Sequence, residues 1–138
     1  MPAWTGGCLC GAMRFRIDAD PLSGVACHCR DCQYVSGGAE ADIAVVPRAA
    51  FTKLSGEETV YRSTAASGAA VWRSFCPVCG TPLFSGSASK PELLFIRAGS
   101  FDDPAAFKRQ LHIWTASAPA WHLMEPELPA FPGNPGAA

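Results

Sequence analysis

The chain has 138 residues, 49% of them hydrophobic, with 11 Lys and Arg against 12 Asp and Glu. That length supports one domain burying about two thirds of its unfolded surface, and a net charge of −1 supplies no basic footprint for nucleic acid. No apolar run approaches the ~18 residues of a membrane span, so no membrane partner is expected.

Taken in chain order, the first strand signal is Met13-Arg14-Phe15-Arg16-Ile17-Asp18, where apolar and charged residues alternate with period 2. Ala41 to Val46, Glu58 to Arg62, Ala70 to Phe75, Leu93 to Ala98 and His112 to Thr115 give further strands. Pro47, Ser55-Gly56, Ser67-Gly68, Pro77, Pro91 and Gly99 punctuate them. Helical signals are confined to a turn or two after Cys29 and a short piece after Asp102-Asp103-Pro104. The sequence predicts an all-β domain over residues 4–122, with one or two short helical turns. Residues 123–138 are Pro-rich and read as an extended tail, with Leu123, Leu128 and Phe131 able to lie along the domain surface.

The seven cysteines fall into three tight clusters: Cys8-Leu9-Cys10, Cys27-His28-Cys29-Arg30-Asp31-Cys32 and Cys76-Pro77-Val78-Cys79. Thiolates one or two residues apart can present both sulfurs to one ion, and zinc takes four such ligands in a closed tetrahedral site or three in an open one. Seven thiolates therefore suit one closed site and one open site. The favoured division is Cys8, Cys10, Cys76 and Cys79 for the first and Cys27, Cys29 and Cys32 for the second. Spacing alone leaves room for Cys8 and Cys10 to complete the middle cluster instead.

A disulfide framework is the main competing reading. It would leave one of seven thiols unpaired, and the opening Met1-Pro2-Ala3-Trp4 lacks the charged and apolar regions of a secretory signal, so a cytoplasmic location is expected. A redox pair at Cys76 and Cys79 would call for a following helix, and no helical period follows Cys79.

The runs Gly6-Gly7-Cys8-Leu9-Cys10-Gly11-Ala12-Met13-Arg14-Phe15, Cys27-His28-Cys29-Arg30-Asp31-Cys32-Gln33 and Phe75-Cys76-Pro77-Val78-Cys79-Gly80-Thr81-Pro82-Leu83-Phe84 carry a family resemblance. Gly99 to Pro104, His112-Ile113-Trp114-Thr115 and Ala118-Pro119-Ala120-Trp121 extend it in the same order. The chain resembles the glutathione-dependent formaldehyde-activating enzymes, also grouped with centromere protein V. The resemblance implies a β-tent of small antiparallel sheets built around zinc. It implies a structural zinc at Cys8, Cys10, Cys76 and Cys79, and a second, open zinc at Cys27, Cys29 and Cys32, two ions per chain. It further implies a carbon-sulfur lyase-type activity, written as addition of glutathione to formaldehyde to give S-hydroxymethylglutathione. The expected partner is thus a small-molecule thiol or thiol adduct, with glutathione as co-substrate. A non-catalytic zinc module for a protein or small ligand is the alternative.

Other polar residues carry weaker signals. His28 sits between two cysteines, so its side chain is expected to point away from any ion they share and to make an orienting hydrogen bond. His112 and His122 read as packed or exposed imidazoles. Asp31 suits the first turn of a short helix. Arg14, Arg30 and Arg73 could pair with carboxylates but resemble surface arginines, and Trp72, Trp114 and Trp121 read as core residues.

Overall fold

The computed structural model describes residues 3–135. Residues 136–138, the end of the expected tail, lie outside it, as do Met1 and Pro2. The chain is mainly β, with ten strands and one α-helix among the described residues. The strands are β1 (Trp4–Gly7), β2 (Arg14–Ile17), β3 (Ser23–Cys27), β4 (Ala41–Pro47), β5 (Phe51–Ser55), β6 (Thr59–Thr64), β7 (Ala70–Phe75), β8 (Pro82–Ser87), β9 (Leu93–Arg97) and β10 (Leu111–Ile113). The helix α1 spans Arg30–Ser36. One sheet has the order β1-β2-β5; the other has the order β10-β3-β4-β9-β8-β7-β6. Neighbours are antiparallel except β10, which runs parallel to β3 with His112 beside Ala26.

The alternation in β2 buries Phe15 and Ile17 completely and leaves Arg14 and Arg16 on the outer face. Phe15 is the hub between the sheets: its ring meets Phe51, Phe84 and Phe101 with centroids 5.9, 5.2 and 5.9 Å away. Met13, Ala44, Val46, Leu83, Leu94 and Ile96 fill the space around it, and Cys8 and Cys76 close one end of this core. A second, smaller cluster joins Cys27, Cys32, Ala41 and Ile43, with Ile113 and Trp114 packed against it. β4 serves both clusters and is buried along nearly its whole length.

Local signals explain the ends of the elements. The side chain of Cys29 caps α1 by accepting the Cys32 N–H, and Gly37, with φ of 75°, ends it in the left-handed conformation that glycine adopts without penalty. Asp103 caps a 3-10 turn at Pro104–Ala106, where the sequence predicts a short helical piece. β10 is shorter than the predicted His112–Thr115 strand because Trp114 takes φ of 57°, which breaks the extended run and opens another 3-10 turn.

The Pro-rich segment turns at 126–127 and bends at 132–134, and it is tied down. Its backbone follows β10, with His112 N–H donating to Pro129 O (2.9 Å), Phe131 N–H to His112 O (2.9 Å) and Thr115 N–H to Phe131 O (3.0 Å). Phe131 is half-buried while Leu123 stands exposed. No helix among the described residues is long and apolar enough to cross a membrane.

Candidate metal centres

Cys8 and Cys10 lie on the loop leaving β1, and Cys76 and Cys79 lie on the turn between β7 and β8. The packing of the two sheets brings these segments together, and the four sulfurs lie within 4.8 Å of one another. Cys8 and Cys10 Sγ are 3.5 Å apart, and Cys10 and Cys76 Sγ are 3.7 Å apart. A disulfide would need ~2.05 Å. Four sulfurs at ~2.3 Å from one tetrahedral zinc would stand about 3.8 Å from each other, so the geometry fits the ion. All seven cysteines are free thiols.

Backbone N–H groups support the cluster. Met13 N–H donates to Cys8 Sγ (3.2 Å) and Val78 N–H to Cys76 Sγ (3.4 Å). The Thr81 hydroxyl meets Cys79 Sγ at 3.1 Å and accepts the Leu9 N–H, linking the two loops. Hydrogen bonds from the Thr81 side chain and backbone pull the Cys79 thiol down to about 5. The turn closes at Gly80, whose φ of 78° directs its N–H to Cys76 O.

Cys27 ends β3, Cys29 caps α1, and Cys32 lies one turn into that helix. Their sulfurs also lie within 4.8 Å, with Cys27 and Cys29 3.5 Å apart. Hydrogen bonds from Cys27 and Cys32 drive the Cys29 thiol down to about 2, while Cys29 and Cys32 push Cys27 far up. Three crowded thiols thus share their protons unequally, and a cation is what would allow all three to ionise together. Among the described residues, no fourth Cys, His, Asp or Glu joins this group.

Two arginines add minor electrostatic influences on this group. The charge of Arg73 acts on Cys29 and that of Arg97 on Cys32. Arg73 also bonds Ser63 (3.2 Å) and lies 3.8 Å from Asp31, and its Nε is buried without a hydrogen-bond partner. Nη1 of the buried Arg97 is likewise unpartnered. Arg97 lines a cleft of about 340 Å³ with Val35, Ser36, Asp42, Thr81 and Pro82, between the helix that carries Cys32 and the turn that follows Cys79.

The remaining predicted residues are placed as follows. Arg14 is committed to Asp102 across the sheet edge, and Arg30 stacks on Tyr34 while bonding Gln33. Trp72 packs on the main core, Trp114 on the three-cysteine cluster, and Trp121 is 71% exposed, which departs from its reading as core. His28 joins neither sulfur group. It is fully buried and its Nε2 meets His112 Nδ1 at 2.9 Å; burial, followed by the charges of His112 and His122, holds it down to about 4.

A family model described as glutathione-dependent formaldehyde-activating enzyme matches residues 3–117. The chain belongs to that family. A curated relative from Halomonas elongata, named "Putative glutathione-dependent formaldehyde-activating enzyme", is 28% identical over 130 residues, spanning 87% of this chain and 80% of its own. A crystal structure of a Rhodobacter sphaeroides protein shares the fold, with a TM-score of 0.58 at 20% identity over 71% of this chain and 87% of that one. In this formaldehyde-activating family member both sulfur groups fall inside the matched region, whereas His122 and Glu125 lie beyond it.

Proposed function

We propose that the protein is a zinc-dependent carbon-sulfur lyase-type enzyme that joins glutathione and formaldehyde as S-hydroxymethylglutathione and separates them again. The observation that carries this reading is the three-sulfur group, which offers an ion three protein ligands and, among the described residues, no fourth, in a chain of the glutathione-dependent formaldehyde-activating family. Cys8, Cys10, Cys76 and Cys79 would hold a structural zinc, and Cys27, Cys29 and Cys32 a second one. Seven free thiols suit a reducing, cytosolic compartment.

When bound to the three-cysteine group, zinc would supply the positive charge that keeps a substrate thiol ionised at neutral pH, where a free thiol of pKa ~8.5 is mostly protonated. Three protein thiolates would leave such an ion with an excess negative charge. The positive charges of Arg73 and Arg97, which favour the thiolates of Cys29 and Cys32 as minor influences on them, would offset part of that excess. Arg97 lines the adjoining cleft, where its guanidinium would pair with a glutathione carboxylate. In the addition, the sulfur lone pair forms the C–S bond at the carbonyl carbon, the C=O π pair moves to oxygen, and the thiol proton ends on that oxygen. The protein's contribution is to hold thiol and aldehyde within reach of one another.

Exchange spectroscopy by NMR tests the reading, since net conversion also proceeds without an enzyme. The protein should accelerate exchange of formaldehyde between its free and glutathione-bound forms, and Cys29→Ser should lose that acceleration while remaining folded. No acceleration by wild-type protein containing both zincs would remove the formaldehyde assignment. Failure to bind any thiol would favour a non-catalytic zinc module.

A further inference from the structure

The three histidines of the chain converge, although they come from distant segments. His28 follows β3, His112 lies in β10 beside it, and His122 comes from the turn in which its N–H bonds Pro119 O. The rings of His112 and His122 both stand 5.1 Å from that of His28, centroid to centroid. A nitrogen of His28, a nitrogen of His122 and a carboxylate oxygen of Glu40 lie within 4.8 Å of one another.

The donors at this point are unsatisfied. His28 Nδ1, His122 Nε2 and Glu40 Oε2 are all buried without a hydrogen-bond partner. His122 Nε2 and Glu40 Oε2 stand 2.8 Å apart, but not in the alignment of a hydrogen bond. Two atoms each ~2.0–2.1 Å from one metal ion would be separated by about 2.9–3.4 Å, so the 2.8 Å between His122 Nε2 and Glu40 Oε2 would open slightly around an ion.

The surroundings complete the pattern. If His28 Nδ1 binds a cation, its Nε2 carries the proton and donates to His112 Nδ1. His112 then carries its own proton on Nε2, which lies 3.2 Å from Glu125 Oε1 but, like His122 Nε2, without the alignment of a hydrogen bond. The His28–His112 hydrogen bond would fix the ligand's tautomer, as outer-sphere partners do in known metal sites, with the Glu125 carboxylate nearby. Arg109 orients the other carboxylate oxygen, Glu40 Oε1, at 3.0 Å, and also bonds Asp42 and Glu125. Three carboxylates around one guanidinium leave two negative charges uncompensated when the imidazoles are neutral. A divalent cation would balance them. Glu40 and Asp42 also line the cleft beside α1, which gives an ion a route from solvent.

We propose that His28, His122 and Glu40 form a third metal site, separate from both sulfur groups, for a divalent first-row ion of the zinc or cobalt type. Two imidazoles and one carboxylate suit such ions better than magnesium or calcium, which favour all-oxygen sets. The site goes beyond the proposed reaction and stands or falls without it.

Protein produced in cobalt-supplemented minimal medium tests the site. Wild type should carry one more metal ion per chain than His122→Ala or Glu40→Gln by elemental analysis, all three being folded by near-ultraviolet circular dichroism. The cobalt lost in the variants should show only weak ligand-field absorption, with the intense thiolate-to-cobalt bands unchanged, and its affinity should fall at least tenfold. Wild type should also show hyperfine-shifted imidazole N–H resonances. Equal metal content in all three proteins, or a loss of thiolate bands in the variants, overturns the proposal. Should either variant fail to fold, the wild-type spectrum decides: absence of shifted imidazole resonances overturns it.

Discussion

The sulfurs of Cys10 and Cys76 lie 3.7 Å apart although 66 residues separate them in the chain. Two loops with no strand pairing of their own thus meet through side chains at one end of the main core. The three-cysteine group is different in kind, because all its members fall within one β-strand end and the first turn of one helix.

From that contrast, Cys79→Ser should destabilise the fold severely and Cys29→Ser mildly. If zinc joins the four-sulfur loops, its binding free energy is part of folding, and losing a ligand should cost more than about 3 kcal/mol, or roughly 10 °C in melting temperature. Cys29→Ser should remain folded and lose one zinc. Thermal melts together with metal analysis check both; equal destabilisation by the two substitutions would refute the assigned roles.

Arg97→Gln should weaken glutathione binding more than it slows chemistry. A buried charged hydrogen bond to a carboxylate contributes about 1.5–3 kcal/mol, so KM for glutathione should rise about tenfold or more with kcat changed less. The measurement is initial exchange rate against glutathione concentration. An unchanged KM would show that Arg97 does not bind glutathione.

Asp102 gives a pH signature. Arg14 donates to both its oxygens and the Thr5 hydroxyl donates to Oδ2 at 2.7 Å, which holds its carboxyl down to about 2. The folded value lies below the unfolded one of ~3.9, so the stabilisation is complete above about pH 5 and is lost as pH falls toward 2. The pair is half-exposed, which limits it to about 1 kcal/mol. Urea midpoints of wild type and Asp102→Asn should differ at pH 6 and approach each other at pH 3; comparing the two proteins cancels the titration of the cysteines.

Gly24→Ala should be among the most damaging single-methyl changes. An added Cβ would stand 1.8 Å from the carbonyl oxygen of Lys108, in a segment fixed by reciprocal bonds between Gly24 and Gln110. Separating those backbones would disturb β3 and hence Cys27 at its end. A loss above about 3 kcal/mol is expected by denaturant titration; a near-neutral result would mean that the 107–110 segment yields easily.

The strands legible in the sequence are those with alternation or with β-forming runs between breakers, including the largely exposed β6, predicted as Glu58 to Arg62. β2 alternates Arg and apolar residues, and β4, β7 and β9 fall where apolar runs meet breakers. β1, β3 and β8 carry glycines at Gly6, Gly24 and Gly86 because another group approaches the backbone there, and the same glycines erase the strand signal. β5 is largely exposed and lacks a periodic face. The cysteine clusters are visible because ligand spacing is local. The histidine convergence is not, since it depends on β10 returning parallel to β3 across more than eighty residues. Three histidines in the whole chain, two of them flanking a Trp-rich segment, were the only hint available.

The distance in sequence between the paired loops also imposes an order of events during synthesis. At ~5–20 residues per second, the 66 positions from Cys10 on to Cys76 take about 3–13 seconds to be made. Throughout that interval Cys8 and Cys10 have no partner loop, while Cys27, Cys29 and Cys32 already lie within one short stretch of nascent chain. The middle cluster can therefore capture an ion before the first pair can, and the N-terminal thiols wait in a reactive state that an oxidising environment would trap.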